Sequence, residues 1–486
     1  MPMRFSIKQL ISNKIFRVLR YIQRIATLLS AILKIKEYLG DSMKKPFVVV
    51  WLICILMAPG FLVHVREINV VLQDTESPVI ETWTWQQKLT EADELLKNID
   101  LFVGEKEIPY TENRFQTVGD RIIRITQHRS DVERQLALVL LNTNTGQEKL
   151  VIVTHRGNDL ISPKDMPIEI VEMPSGIRWN DWNTAFRAPD PLVIIKNKWP
   201  HMITIDSGKR KMVRNSKGKL YAVAIMEKVI EYIVYAPYSD GLHVPELTEG
   251  GQQQNKNVVI QAREYLRQHQ VYSKTFPDLL VVDVPQLPDS YITILPILEH
   301  TDPSELNKEA SSDSAQHAAE RILVLLAANG DMAFSGTKSP KSALGQYQWT
   351  RGTWTLMRKV FPDASLPVDF VSGAGNPVFA AAAALLLHDY NLSQLVSRFG
   401  LDILDVPYIE ELLQASFNGG VSRAILAQKA KEKHHLSDWL DGLKYVPIRG
   451  NAEVRGYIAK FRKLRQLGFK DSVKNLTLIP TTRSVS

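Results

Sequence analysis

The chain has 486 residues, enough for two to four domains, and 45% of them are hydrophobic, so it can bury a substantial core. Its net charge of +7 is uneven: residues 1–45 carry ten Lys and Arg against two acidic residues, or +8, and the rest sums to −1. The charge therefore belongs to one end rather than to a nucleic-acid-binding face, and we expect no nucleic-acid partner. The single cysteine, Cys54, excludes an intrachain disulfide.

The N-terminal region predicts attachment to a membrane. Within residues 1–45, apolar side chains recur at helical spacing between Arg and Lys, which is typical of a basic amphipathic helix on an anionic lipid surface. Residues 46–64 carry no charged side chain and approach the length needed to span a bilayer. The lysines before them place the N-terminus in the cytosol. We expect an uncleaved single-pass anchor that contacts membrane lipid, with the bulk of the chain outside the cell membrane. A start at Met43 is the alternative, and it would leave an ordinary signal sequence.

Residues 66–275 predict a mixed α/β region whose role the sequence does not define. Thr82–Leu101 has an amphipathic helical pattern, and Val258–Gln268 is a second predicted helix. Apolar β-rich runs flank the turn residues Asn142–Gln147, and another turn at Arg214–Gly218 precedes Leu220–Met226; both patterns predict hairpins. Four tryptophans could line a sugar groove or pack in the core: Trp83, Trp85, Trp179 and Trp182.

Residues 285–470 predict an all-α domain, and residues 471–486 a polar tail. Helical periodicity recurs with short connections. The predicted helices are Ile292–Leu298, Ala318–Ala328, Thr353–Val360, Val378–Tyr390, Tyr408–Ser416, Ala424–Lys433 and Ala452–Leu467.

Three short stretches within this region share a chemistry. An apolar helix ends on Glu299, a Ser/Gly loop runs from Ser339 to Thr350 with Gln348 near its end, and Asn418 is followed by Gly419 and Gly420. A carboxyl kept protonated by burial can act as a general acid toward a glycosidic oxygen. Amide side chains and exposed glycine backbone suit a polysaccharide that lies close to the chain.

These stretches resemble the catalytic domain of the soluble-lytic-transglycosylase family, over roughly Pro288–Leu467. Ser339, Ala343, Gly345 and Gln348 match the family's Ser/Gly signature, with Ser342 for a glycine and Gln346–Tyr347 for Leu-Met. Ala415, Asn418 and Gly420 match its Asn-Gly signature, with Phe417 for a tyrosine. The resemblance implies a multidomain protein whose C-terminal all-α domain has a lysozyme-like fold.

The resemblance implies that one acid cleaves peptidoglycan between MurNAc and GlcNAc and leaves a 1,6-anhydro end, with no metal or other cofactor. It also implies that Ser339, Gly345, Gln348, Asn418, Gly419 and Gly420 bind the glycan strand.

Two residues are candidates for the acid. Glu299 ends a suitable helix, but choosing it requires an insertion at Ser304–Lys338 that contains one extra helix. Asp331 lies nearer to Ser339 in sequence, on a shorter side chain.

The sequence is consistent with two functions. A membrane-anchored lytic transglycosylase that remodels the cell wall is the first interpretation. A degenerate domain that binds glycan and scaffolds other envelope proteins is the second.

Overall fold

The computed structural model describes residues 83–469, except 119–120, 158, 172–175, 181, 215, 217 and 307–310; for 112–118, 121–123 and 204–206 it describes the backbone alone. The predicted segments 1–45, 46–64 and 471–486 lie outside the described residues. No helix in the described part of the chain is long and apolar enough to cross a membrane.

An antiparallel six-stranded sheet forms the first half of the described chain. Its strands run in the order β4-β3-β2-β7-β8, and β1 also pairs with β2. A separate small sheet pairs β5 with β6. The strands are β1 (Val103–Val118), β2 (Arg121–Asn142), β3 (Glu148–Arg156), β4 (Asp159–Ile161), β5 (Glu169–Ile170), β6 (Phe186–Arg187), β7 (Leu192–Arg214) and β8 (Leu220–Tyr235).

The predicted hairpins at Asn142–Gln147 and Arg214–Gly218 are confirmed, since they join β2 to β3 and β7 to β8.

Eleven α-helices occur in the described residues. They are α1 (Trp85–Lys97), α2 (Pro245–Gln268), α3 (Ser290–Thr293), α4 (Leu295–His300), α5 (Ser312–Asn329), α6 (Arg351–Val360), α7 (Phe370–Gly375), α8 (Pro377–Phe399), α9 (Ile409–Gly419), α10 (Val421–His434) and α11 (Asn451–Gln466). Each helix predicted within residues 83–469 overlaps one of these.

The middle of the sheet is buried on both faces. Leu136, Leu138 and Leu140 pack into a small cluster with Val151 and Ile194. The alternate residues of β2, Ala137, Val139 and Leu141, belong to the main core, together with the apolar face of α1. This two-sided burial explains why β2 has a continuous apolar run instead of an alternating pattern.

Strands and helices share that main core. The Tyr235 hydroxyl at the end of β8 donates to the carbonyl of Ala333, 2.5 Å away, and the Asn329 amide bonds both backbone groups of Ala236. The described residues belong to one compact unit.

The prediction of a multidomain protein with a separate C-terminal all-α, lysozyme-like domain is therefore wrong. The structure is a mixed α/β unit with a large antiparallel sheet. Helix α2, from the region predicted to be separate, packs against α5 so closely that a Cβ on Gly251 would lie 1.9 Å from the Leu323 carbonyl oxygen. Helical periodicity identifies helices, but it carries no information about whether strands share their core.

Candidate functional site

Glu299 lies near the end of the short helix α4. Its neighbours Leu295, Ile297 and Leu298 are buried in the main core, while Glu299 keeps part of its surface open. The carboxyl is thus largely surrounded by protein, an environment that favours the neutral form which a general acid needs.

Burial raises the pKa of the Glu299 carboxyl above its ordinary value. The Lys460 ammonium, the Tyr457 hydroxyl and the Arg178 guanidinium act in the opposite direction. The Tyr457 hydroxyl lies beside the carboxyl, although it has no described protein partner in normal hydrogen-bonding geometry. The carboxyl therefore faces a hydroxyl that could stabilise its ionised form.

Lys460 connects α11 to the end of α4. Its ammonium is buried and donates to the carbonyl oxygens of Leu298 and Thr301, which the end of α4 leaves without helical partners. Burial and the nearby Arg178 charge lower the pKa of Lys460 to about 7. The charge of Glu299 acts in the opposite direction and raises that pKa.

Arg178 reaches this cluster from the segment between β5 and β6. Ile177 forms a β-bridge with Thr301, and the Arg178 amide donates to the His300 carbonyl at 2.7 Å. Burial lowers the pKa of the guanidinium, whose charge is balanced by Glu299, Asp302 and Glu453. The guanidinium also lies over the Trp179 ring, 4.4 Å from its centroid.

Sequence reasoning missed Arg178, Tyr457 and Lys460. For α11 a signal was present: Glu453, Tyr457 and Lys460 are spaced i, i+4 and i+7, so they share one helix face. For Arg178 no local signal exists, since its partners lie more than 100 residues away along the chain.

The loop Ser339–Thr350 is attached to the end of α4. His300 Nε2 lies 3.1 Å from the Gln346 carbonyl oxygen, and the His300 ring stacks on Phe334 with centroids 4.0 Å apart. Gln346 and Tyr347 are buried, and each has a side-chain polar atom without a protein partner in the described structure. The loop is thus packed against the end of α4.

Three predicted binding residues have structural roles within this loop. The Ser339 hydroxyl accepts from the Ala343 amide at 3.1 Å and closes a turn. Gly345 has φ +79°, and a Cβ there would lie 2.0 Å from the Ala374 carbonyl oxygen. The Gln348 amide nitrogen donates to Thr337 Oγ1 and to the Gly345 carbonyl, while its Oε1 lacks a protein partner in the described structure. Of the three, only Gln348 has a buried side-chain oxygen without a protein partner in the described structure.

Asn418, Gly419 and Gly420 form the end of α9. Gly419 packs against Val454 of α11, and the Gly420 amide donates to the Ser416 carbonyl at 2.9 Å. Asn418 Oδ1 is buried and has no protein partner in the described structure. The turn is therefore held next to the helix that carries Tyr457.

Phe417 connects this turn to the loop. Its ring lies 5.8 Å from Trp349 and 5.7 Å from His388, centroid to centroid. Contacts therefore link the three predicted stretches, through His300–Gln346 and Trp349–Phe417, and Gly419–Val454 links the last of them to α11.

The rival acid Asp331 is exposed on the turn Gly330–Met332, and Gln254 Nε2 is 3.4 Å from its carboxylate. Helix α5 fills the stretch Ser304–Lys338 that was predicted as an insertion. It is a core helix, with ten buried residues between Ala315 and Asn329. The extra helix is thus part of the central packing.

The four tryptophans have different environments. Trp85 is buried on α1 and its ring lies edge-on to that of Trp83. Trp182 packs edge-on against Tyr235. Trp179 alone lies beside the Arg178 guanidinium.

Two other features bear on ligand binding. A cavity of about 80 Å³ is bordered by Asn255, Thr293, Ile297 and Phe469, and its lining includes none of the predicted site residues. Within the described part of the chain, no group of three His, Cys, Asp or Glu side chains is placed to hold a metal ion.

Comparison with known proteins gives no relative: no family model, no curated protein and no solved structure matches the chain.

Proposed function

We propose that the protein is a membrane-anchored lytic transglycosylase that cleaves peptidoglycan between MurNAc and GlcNAc and remodels the cell wall. The observation that supports it is Glu299, a carboxyl whose pKa burial raises and which lies beside the Tyr457 hydroxyl; the next residue, His300, contacts the loop that carries Gln348. Anchor and location rest on residues 46–64, and the substrate class rests on the resemblance of the three stretches.

In this proposal protonated Glu299 gives its proton to the glycosidic oxygen as the bond from MurNAc C1 breaks. The N-acetyl group of the same sugar assists at C1. The Glu299 carboxylate then takes the proton of the C6 hydroxyl, whose oxygen bonds to C1 and closes the 1,6-anhydro ring. Glu299 ends protonated again, and no water is consumed.

Tyr457 and residues of the other two predicted stretches have parts in this cycle. The Tyr457 hydroxyl donates to the carboxylate that exists between the two proton transfers. Asn418 Oδ1 and Gln348 Oε1 are buried without protein partners in the described structure, so N–H or hydroxyl groups of the glycan would reach them only after local opening of the chain. Gly345 keeps the loop in the conformation that places Gln348.

One observation favours the second candidate, a domain that binds glycan without cleaving it. Lys460 and Arg178 both lower the pKa of Glu299, against the effect of burial. If the raised pKa still lies below neutral pH because of these charges, Glu299 is ionised there and cannot donate a proton.

Digestion of purified murein sacculi by the full chain in detergent tests the proposal. We expect soluble muropeptides with 1,6-anhydro ends, and a rate about 10²–10⁴-fold lower for Glu299→Gln because general acid catalysis is lost. Asp331→Asn, the matched control, should keep the parent rate.

Other outcomes would select another function. Products heavier by one water would show hydrolysis. Binding to sacculi without any product from the parent chain would support the scaffold. An inactive Asp331→Asn beside an active Glu299→Gln would show that Asp331 is the acid.

A further inference from the structure

The β7–β8 hairpin extends far beyond the core. Only its root is buried, at Ile194–Lys198 of β7 and at Ile233 and Tyr235 of β8, whereas the segment from Ser207 to Met226 is largely exposed. At about 3.3 Å per residue, the part of β7 beyond Pro200 is roughly 45 Å long. We call Ser207–Met226 the basic ribbon.

The basic ribbon exposes large apolar side chains on both faces. Met212 is 58% exposed and Met226 53% exposed, and Tyr221 and Leu220 are nearly half exposed. Adjacent residues of a strand point to opposite faces, so Leu220 and Tyr221 cannot both face one covering element of this chain. The other large exposed apolar residues of the ribbon are Val223 and Ile225. A partner that is apolar and surrounds the ribbon would bury them together.

The ribbon is also strongly cationic. Its 20 residues include six Lys and Arg and no Asp or Glu: Lys209, Arg210, Lys211, Arg214, Lys217 and Lys219. The other long hairpin, β1–β2, has six basic and six acidic residues between Val103 and Arg134. Length and exposure alone therefore do not account for the charge of the ribbon, which calls for an anionic partner.

We propose that the basic ribbon binds the surface of an anionic lipid bilayer. Its apolar side chains enter the boundary between headgroups and acyl chains, and its Lys and Arg side chains contact lipid phosphates. The ribbon lies in this boundary and does not cross the hydrocarbon, since β8 is an edge strand of the described sheet and its outer backbone groups need water or headgroup partners. This contact is separate from the predicted anchor at 46–64 and from the Glu299 site.

A local probe tests the proposal in the full chain, because the predicted anchor alone would bind vesicles. With Cys54 replaced by Ser, Met212→Cys is labelled with a polarity-sensitive fluorophore. Leu356→Cys, exposed on α6, is the matched control. The protein is reconstituted in vesicles of phosphatidylcholine or of equimolar phosphatidylcholine and phosphatidylglycerol, with and without a lipid-attached quencher.

We expect the Met212 probe to shift to shorter wavelength and to be quenched in the anionic vesicles only, with the Leu356 probe unchanged. Replacing Lys209, Lys211 and Arg214 by Gln should raise the anionic lipid needed for the same shift by about 100-fold, since each cation near such a surface contributes roughly fivefold. The triple variant must keep the parent melting temperature.

Four results would overturn the proposal. Unshifted and unquenched emission in both vesicle types would show that the ribbon stays in water, and an equal shift in both would show that anionic lipid is not required. A shift in detergent that depends on protein concentration would show a second copy of the chain on the ribbon. Salt-sensitive binding without quenching would show attraction to a polyanion with no apolar contact.

Discussion

Burial and three polar neighbours act on the Glu299 proton in opposite directions. Burial favours the neutral acid, and the Lys460, Tyr457 and Arg178 groups favour the carboxylate. A group that must give and then take one proton needs a pKa near the working pH, and opposing influences of this kind can set it there. The balance can be shifted one neighbour at a time.

Tyr457→Phe should move the alkaline limit of the activity to higher pH. The ring remains, but the hydroxyl that lowers the pKa of Glu299 is lost, so the acid stays protonated further up the pH scale. We expect a shift of about one pH unit, since a hydrogen bond to a charged group contributes roughly 1.5 kcal/mol. The pH dependence of murein digestion measures it.

Tyr445→Phe, at an exposed position, is the control and should leave the profile in place. An active Tyr457→Phe whose limit is unmoved or lies lower would show that the hydroxyl does not act on the acid.

The buried His388, whose ring stacks on Phe417, makes the folding stability of the protein depend on pH in the acid range. Its ring is fully buried on α8 against Phe417, and neither ring nitrogen has a partner in the described structure. Burial lowers the pKa of His388 to about 3. The unfolded chain therefore takes up a proton at higher pH than the folded chain does, and folding free energy is lost as pH falls below the unfolded value near 6.5.

His388→Phe should weaken this pH dependence. Phenylalanine keeps an aromatic ring in the core and carries no proton, so the loss of unfolding free energy between pH 7 and pH 4 should shrink by about 3 kcal/mol. Urea unfolding at the two pH values gives the difference. His201→Phe, at an exposed position of β7, is the same substitution outside the core. An unchanged slope in His388→Phe would place the acid sensitivity elsewhere.

At the scale of elements, the packing of α2 on α5 depends on one of two adjacent glycines. Gly251 faces the Leu323 backbone, where a Cβ would come within 1.9 Å. Gly250 is exposed, and a Cβ there would meet only the Ala327 Cβ at an ordinary 3.5 Å. Substituting each glycine in turn therefore separates the effect of helix propensity on stability from the effect of the contact between α2 and α5.

Gly251→Ala should destabilise the protein by about 3 kcal/mol, at the upper end for overpacked cores, since backbone must move. Gly250→Ala should stabilise it by about 0.5–1 kcal/mol because alanine loses less entropy in a helix. Urea unfolding of both variants measures the two effects. Similar values for both would mean that α2 does not approach α5 this closely.

Elements that depend on neighbouring residues could be predicted from sequence. The turns at Asn142–Gln147 and Arg214–Gly218 carry their own turn residues, and the helices after Ser290 follow their periodicity. Contacts that join distant segments could not be predicted. The Arg178 amide bonds His300, and Asn329 bonds Ala236, each across about a hundred residues. The predicted all-α domain failed for that reason.

At the scale of the whole molecule, residues 83–284, which contain the sheet and helix α2, complete the helical core and supply Arg178. Helix α2 contributes Val258, Val259 and Leu266 to the core that holds α4 and α5. The bridge from Ile177 to Thr301 fixes the end of α4, where Glu299 lies. Removing residues 83–284 would therefore expose apolar surface of the core and remove the contacts that fix the end of α4.

A fragment of residues 285–470 should consequently lack a cooperative fold, while residues 82–486 should unfold in one transition. The fragment retains most of its helical periodicity, so far-ultraviolet circular dichroism should still show helix. Loss of α2 and of the Tyr235 and Asn329 junction removes specific packing, so near-ultraviolet signals should disappear and a dye for exposed apolar surface should bind. A sharp denaturation transition for 285–470 with intact near-ultraviolet signals would show that the helical region is an independent domain.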